Sequence, residues 1–347
     1  VTPAVPITCT KADLTPEFRD QYLATYRQMQ SSRVLEEKLG SLYRAGGRIV
    51  GGVYLGRGQE AFSAAVAMQL RRGQDVYAPL IRDQAGRMAF GEPITDALRT
   101  YLGAATGPMR GRDGNIHRGR PQEGELAMIS HLGAMVSVVA GALFAKRLRG
   151  TMADAVGATS IGDGATSTGS FHEAINMAAV ERLPLIISVA NNQFAYSTSN
   201  DRQFACQDLM DRARGYGVAG WKVDATDLAA CLKVARSAVA AARAGGGPQL
   251  IVGTLLRLGG HGEHDDASYI PDEVKFSKVG QDCLLVAEKL MIAEGWSTQE
   301  EINGWLKEAR ATVDQAVSLV SKEPIPDPYR ESWQALSSSE LVESWQL

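Results

Sequence analysis

The chain has 347 residues, 45% of them hydrophobic and 22% charged, with a formal net charge of −3. This is the composition of a globular protein with room for one large α/β domain or two small ones, and it offers no basic excess for nucleic acid. No apolar run approaches a membrane span, and Cys9, Cys206, Cys231 and Cys283 lack metal-ligand spacing, as expected of reduced thiols in a cytoplasmic protein.

Val1 to Leu14 is Pro/Thr-rich and reads as a loose arm, with no signal-peptide pattern. From Pro16 to Tyr43, Phe18, Tyr22, Tyr26, Met29, Leu35, Leu39 and Leu42 fall near one helix face, and Gly46-Gly47 ends the helix. Gly51 to Ala61, GGVYLGRGQEA, enters another helix with a buried Gln-Glu pair at its start. Asp75 to Gly91 reads as a short strand, VYAP, and then LIRDQAG opening a helix. Arg82 there is either a surface cation or an anion clamp. Gly103 to Leu126 is Gly- and Arg-rich and carries GRDGNIH, whose His117 is either a cleft residue or, the ordinary reading, a surface loop group. AMISHLGAMVSVVAGALFAKRL follows, a strand running into a helix whose small residues suit close packing, at a subunit interface or inside the chain.

The most informative stretch runs from Ser160 to Ser197. An apolar run, Ala155 to Ile161, ends at Gly162-Asp163-Gly164. Phe171, Ala174, Ile175, Ala178 and Ala179 then recur at helical spacing, and Leu185, Ile186, Ile187 and Val189 form a second run that stops at Asn191-Asn192. The unit is βαβ with polar groups at both strand ends. Ligands of open α/β sheets sit at those ends, where glycine loops and helix N-termini present N–H groups to phosphate. Asp163 is the oddity, because each pair of like unit charges about 4 Å apart costs roughly 4 kcal/mol at an effective dielectric of about 20. A divalent cation reverses the sign, taking carboxylate, amide and phosphate oxygens together. Asn192 offers the amide oxygen, 29 positions on, which matches a βαβ unit of about 30 residues.

Beyond it, Ala219 to Asp224 reads as a strand, Leu228 to Arg243 as an Ala-rich helix, and Gln249 to Leu256 as a strand feeding Arg257-Leu258-Gly259-Gly260-His261. A His after two glycines suits proton handling near neutral pH. Pro271 to Met291 and Ser297 to Val320 read as amphipathic helices, and Pro324 to Leu347 as a tail.

GDG followed about 30 residues later by NN resembles the thiamine diphosphate fingerprint, and GDGATSTGSFHEAINMAAVERLPLIISVANNQFAYST is similar to the alpha subunits of 2-oxo acid dehydrogenases. That family includes the pyruvate, branched-chain and acetoin dehydrogenases. The resemblance implies the thiamine diphosphate-binding α/β fold, with a mostly parallel sheet and helices on both faces. It gives an N-terminal arm and helix (1–45), a diphosphate-anchoring domain (46–270), and C-terminal helices and tail (271–347). It implies Mg²⁺ held by Asp163, Asn192 and the backbone carbonyl of Phe194, where relatives usually have Tyr. Gly162, Gly164, Ala165, Ala195 and Tyr196 then border the cofactor, Arg82 pairs with the diphosphate, and Ile81 stands where Tyr is common. Gln84 replaces a common His. Ser130 and Leu132, in the turn Ser130-His131-Leu132-Gly133, match the segment that grips the aminopyrimidine ring. His131 is atypical there and has no assigned role. His261 matches the family's histidine loop and is the catalytic candidate contacting the diphosphate. Gly262 stands where mammalian relatives carry a regulatory phosphoserine, so phosphorylation there is impossible.

Function follows as an expectation of the resemblance: decarboxylation of a 2-oxo acid with acyl transfer to a lipoyl arm on an acyltransferase core. The chain has no second α/β domain to supply the activating glutamate, which implies a separate beta subunit and an α2β2 heterotetramer. Pyruvate and branched-chain acids are favoured over acetoin because LIRDQAG is closer to SYRDHG-like wording than to the acetoin type's THRGHG. Two other classes compete. A nucleotide-binding dehydrogenase would need glycine where Ser167 stands, and a non-catalytic subunit would explain Ile81, Gln84, Ala190 and Val252, yet sits poorly with Arg82, Asp163, Asn192 and His261 together.

Overall fold

The computed structural model describes residues 8–114 and 116–334. The ends of the expected arm (1–7) and tail (335–347), and Asn115 of GRDGNIH, lie outside the described residues. Helix α1 (Pro16–Arg44) starts on Thr15, whose hydroxyl accepts from the Phe18 N–H at 3.2 Å, with Pro16 preset for the first turn. Then come α2 (Glu60–Ala67), β1 (Val76–Ala78), α3 (Gln84–Phe90), α4 (Ile94–Tyr101), α5 (Ala134–Leu148), β2 (Gly157–Gly162), α6 (Gly169–Val180) and β3 (Leu185–Asn191). A small hairpin, β4 (Phe194–Ala195) and β5 (Thr198–Ser199), precedes α7 (Met210–Gly215), β6 (Ala219–Asp224), α8 (Leu228–Arg243) and β7 (Gln249–Thr254). The chain continues with α9 (Asp272–Lys275), α10 (Cys283–Ala293) and α11 (Gln299–Val320).

The main sheet runs β1-β2-β3-β7-β6, all parallel. Its inner strands β2, β3 and β7 are covered on both faces, as expected of a parallel sheet, while the edge strand β6 is largely half-exposed. Along β3, Leu185, Ile187 and Val189 join Val136, Leu143, Phe171 and Met210 from α5, α6 and α7. Ile186 and Ala190 join Tyr26, Phe62 and Leu232 from α1, α2 and α8 on the other face. Each fully buried Leu, Ile or Val contributes about 1.5–3 kcal/mol, so the register of β3 is locked by both cores. A third core holds Leu35 and Leu39 of α1 against α4 and α11. Strand order turns back between β3 and β7, and ligands of such sheets bind at the carboxyl ends beside that reversal.

Two expectations are corrected. No strand forms over 127–129: after a single bridge from Tyr77 to Glu125, with the Leu126 N–H on the Tyr77 carbonyl at 2.8 Å, the chain leaves the short β1 and buries Met128 in the third core. The helix expected from Pro271 to Met291 breaks in two. Gly280 lies so close to the Lys275 carbonyl that a Cβ would fall 1.9 Å from it, and Asp282 starts α10 afresh by accepting from the Leu284 N–H at 3.0 Å. No helix among the described residues is long and apolar enough to cross a membrane, and all four cysteines are unpaired.

Candidate functional site

The loops leaving β1, β2, β3 and β7 converge on one cleft of about 430 Å³, within the range of small-molecule sites. Ile81, Arg82, Ser130, Leu132, Gly162, Asp163, Gly164, Ala165, Asn192, Phe194, Ala195, Tyr196 and His261 all line it. The β1 loop is pinned by buried Asp83, which accepts from the Leu80 N–H at 2.7 Å and from the Ser160 hydroxyl, and this sets Arg82 at the cleft wall.

Asp163 caps the turn after β2 with 1% of its surface exposed. Its Oδ1 accepts from the Gly164 N–H at 3.0 Å, and Oδ2 receives only a long contact from Gln203 Nε2 at 3.4 Å. Burial lifts its pKa to about 6, against the pull of those donors and of Arg257. Across the cleft, Asn192 Nδ2 donates to Gln59 Oε1 at 2.8 Å, which leaves Oδ1 with a 3.4 Å contact from the Phe194 N–H. The turn beyond β3 holds two non-glycine residues at positive φ, Gln193 (76°) and Tyr196 (54°), and such strain concentrates at functional sites.

Opposite the carboxylate stand two buried guanidinium groups. Arg82 Nη2 donates to the His261 carbonyl and lies 3.3 Å from His261 Nδ1, while its buried Nε has no partner among the described residues. Burial, then Arg257, lowers Arg82 to about 10, so it stays cationic at neutral pH. Arg257 is held by the carbonyls of Gly259 (3.0 Å) and Tyr196 (3.1 Å) and by the Tyr269 hydroxyl. His261 packs edge-on against Tyr196 and Tyr54, with ring centroids 4.6 and 5.4 Å away. Burial, then Arg82 and Arg257, pushes its pKa down to about 4. In this structure the imidazole is therefore neutral through the physiological range, unlike the near-neutral titration its loop position suggests.

Other residues surround the site, and of these Gln203 carried no sequence signal. Gln59 orients Asn192, while its neighbour Glu60 turns away to Arg33 at 2.5 Å, so the expected Gln-Glu pair divides between site and scaffold. His117 lines the cleft, the first of its two readings, bridging Asp113 (2.5 Å) and Ser130 (2.7 Å) while staying half-buried. Gln203 and Arg257 complete the surround of Asp163, and for Arg257 the R-x-x-G-H wording was the available signal. Gln84 lies outside the cleft, paired with Glu92 (3.1 Å) and Arg118 (2.6 Å). Among the described residues no three His, Cys, Asp or Glu side chains gather to hold a metal, so a cation here draws on amide, carbonyl or ligand oxygens beside the Asp163 carboxylate.

A carboxylate, an amide oxygen and two buried cations at parallel strand ends suit a metal-bridged diphosphate. Residues 26–329 match the model of the dehydrogenase E1 component family. The chain belongs to that family. Its relatives include the alpha subunit of the acetoin:2,6-dichlorophenolindophenol oxidoreductase of Cupriavidus necator, 32% identical over 90% of this chain and 93% of that one. The pyruvate dehydrogenase E1 component subunit alpha of Rhizobium meliloti is 32% identical over 89% and 88%. The 2-oxoisovalerate dehydrogenase subunit alpha of Bacillus subtilis is 31% identical over 87% and 91%. Thiamine diphosphate is the cofactor that E1 membership implies, and the chain is a component of an oxidoreductase.

Proposed function

We propose that the chain is the alpha subunit of a 2-oxo acid dehydrogenase and that its cleft holds thiamine diphosphate through Mg²⁺. The observation that carries this reading is the ionisable carboxylate of Asp163, buried where the family places a diphosphate and short of donors. The residues fit the group. Mg²⁺ binds through one or two carboxylates plus phosphate oxygens and water. Asp163, the Asn192 Oδ1 and the Phe194 carbonyl supply the protein oxygens, and the cleft-lining Arg82, whose buried Nε has no partner among the described residues, supplies a cation. Thiamine diphosphate supplies, when bound, the carbon chemistry of decarboxylation.

The chain's own part is positioning. Arg82 and His261 take the diphosphate, and the neutral imidazole accepts or donates one hydrogen bond there. Gly162, Gly164 and Ala165 bring backbone close to it, while Ile81, Ser130, Leu132, Ala195 and Tyr196 line the rest of the cleft. A Cβ on Gly164 would lie 2.6 Å from the Ala195 Cβ. Gly164→Ala is therefore expected to weaken thiamine diphosphate binding about tenfold by pushing apart the two turns that carry Asp163 and Phe194. Titration calorimetry checks it, and unchanged affinity would show that the two turns need no close approach.

A beta subunit carrying the activating glutamate completes the site in an α2β2 assembly, and a lipoyl-bearing acyltransferase core receives the acyl group. Exposed Ile129, Leu132 and Tyr196 at the cleft mouth, and Val138, Leu148 and Val180 on α5 and α6, support a covered surface there. We divide the chain at 45 and 270, with flanking helices bracing the cofactor domain, and place it in the cytoplasm on its unpaired thiols. The substrate is pyruvate or a branched-chain 2-oxo acid. Acetoin is the alternative, because the acetoin and pyruvate relatives are equally similar. The heteromer is expected to reduce a dye acceptor with pyruvate or 2-oxoisovalerate, and the alpha chain alone to be inactive with either. Turnover by the alpha chain alone would refute the divided site, and turnover with acetoin only would select the alternative.

A further inference from the structure

Beside the diphosphate wall lies a small cell of about 10 Å³, the size at which a cavity admits one water. Two buried side chains that line it each carry an unmet polar atom. Glu36, on α1 and 3% exposed, accepts from the Gly56 N–H at 2.8 Å through Oε1, and its buried Oε2 has no partner among the described residues. Arg87, on α3 and 2% exposed, donates through Nη1 to Glu125 Oε1 (2.6 Å) and the Arg118 carbonyl (3.2 Å), and its Nη2 is likewise without a partner among them. Leaving both buried and unmet would cost stability, more where the group is charged. A water taking a hydrogen bond from each removes that cost.

The cell shares its wall with the cleft, because Tyr54 and Ile81 line both. Gly56 is packed so tightly on the Arg82 carbonyl that a Cβ would fall 2.1 Å from it. The geometry points to Glu36 as a positioning residue: its carboxyl, with one water shared with Arg87, fixes Gly56 and through it the segment that presents Arg82. This rests on the diphosphate reading of the cleft. Burial, then Glu60, raises Glu36 to about 8, so at neutral pH Oε1 accepts from Gly56 while Oε2–H donates to the water. Glutamine reproduces both bonds, and leucine neither.

The test compares Glu36→Leu and Glu36→Gln in the alpha–beta heteromer, with thiamine diphosphate and Mg²⁺ as the probe. Glu36→Leu is expected to raise the KM for thiamine diphosphate about tenfold while kcat at saturating cofactor stays within about twofold, a split that general loss of folded protein does not produce. Glu36→Gln is expected to restore the parent KM. A parent that binds the cofactor beside a folded Glu36→Leu variant of equal KM overturns the inference, and so does a Glu36→Gln variant as weak as Glu36→Leu. A parent that fails to bind overturns the cleft reading instead. Should Glu36→Leu not fold, a high-resolution crystal structure of the parent decides: an ordered water touching Glu36 Oε2 and Arg87 Nη2 supports the inference, and a dry cell refutes it.

Discussion

Asp163→Ala is expected to abolish thiamine diphosphate binding in the presence of Mg²⁺, a loss of at least about 100-fold for a buried charge partner. Asp163→Asn is expected at the same time to stabilise the protein purified without cofactor. Both follow from one carboxylate held at 1% exposure with a single short donor. Its folded pKa of about 6 stands above the ordinary aspartate value of 3.8, so ionisation opposes folding. Below about pH 4 the group costs nothing; the penalty grows between about 4 and 6 and is full above, where a difference of about 2 units is worth about 3 kcal/mol. Removing the charge should therefore raise Tm at pH 7 by roughly 5 °C and leave it unchanged at pH 4. Asp265, held near 2 chiefly by the His261 N–H and the Tyr269 hydroxyl against its own desolvation, runs the other way with pH, so the comparison is variant against parent at each pH. A cation at the site inverts the sign for Asp163: it makes the ionised form the favoured one, and folding energy given up in its absence returns as binding energy. Unchanged calorimetric affinity in Asp163→Ala would rule out the metal role.

That trade was half legible before any coordinates. Gly162-Asp163-Gly164 and Asn191-Asn192 are local signals, since each sits where an apolar run stops, and the spacing between them is fixed by one helix. The inner strands were equally plain, because a sheet buried on both faces leaves apolar runs. What sequence hides is convergence from distant positions. The fall in the His261 pKa comes first from burial and then from Arg82, which meets it across 179 positions. Gln203 reaches Asp163 across 40 residues. Arg87, Arg118, Glu92 and Glu125 pair with one another in the interior, where periodicity counts charged residues as surface. The break before α10 escaped for a related reason: the helical spacing continues through Gly280, and only the approach of the Lys275 carbonyl shows why the helix does not.

Arg82→Met should weaken thiamine diphosphate about 100-fold and thiamine itself less than about twofold, since a charged hydrogen bond contributes about 1.5–3 kcal/mol and thiamine has no phosphate to receive one. The residue lines the cleft but is buried, its Nη2 is committed to His261, and its buried Nε has no partner among the described residues. Arg257 adds a second cation, and each depresses the pKa of His261 beside them. Without an anion this pair repels, so the diphosphate gains both its hydrogen bonds and the relief of that repulsion. Arg82→Lys recovers only part, because a point charge cannot offer Nε and Nη in one plane. A second readout needs no cofactor. Removing one neighbouring cation raises the His261 pKa above about 4, while burial, the larger cause, remains, so NMR titration should find a rise that stops short of 6.5. If thiamine and thiamine diphosphate weaken equally in Arg82→Met, the guanidinium braces the β1 loop and holds no phosphate. If the diphosphate alone suffers while His261 titrates as in the parent, the two side chains do not share the cleft as their 3.3 Å contact requires.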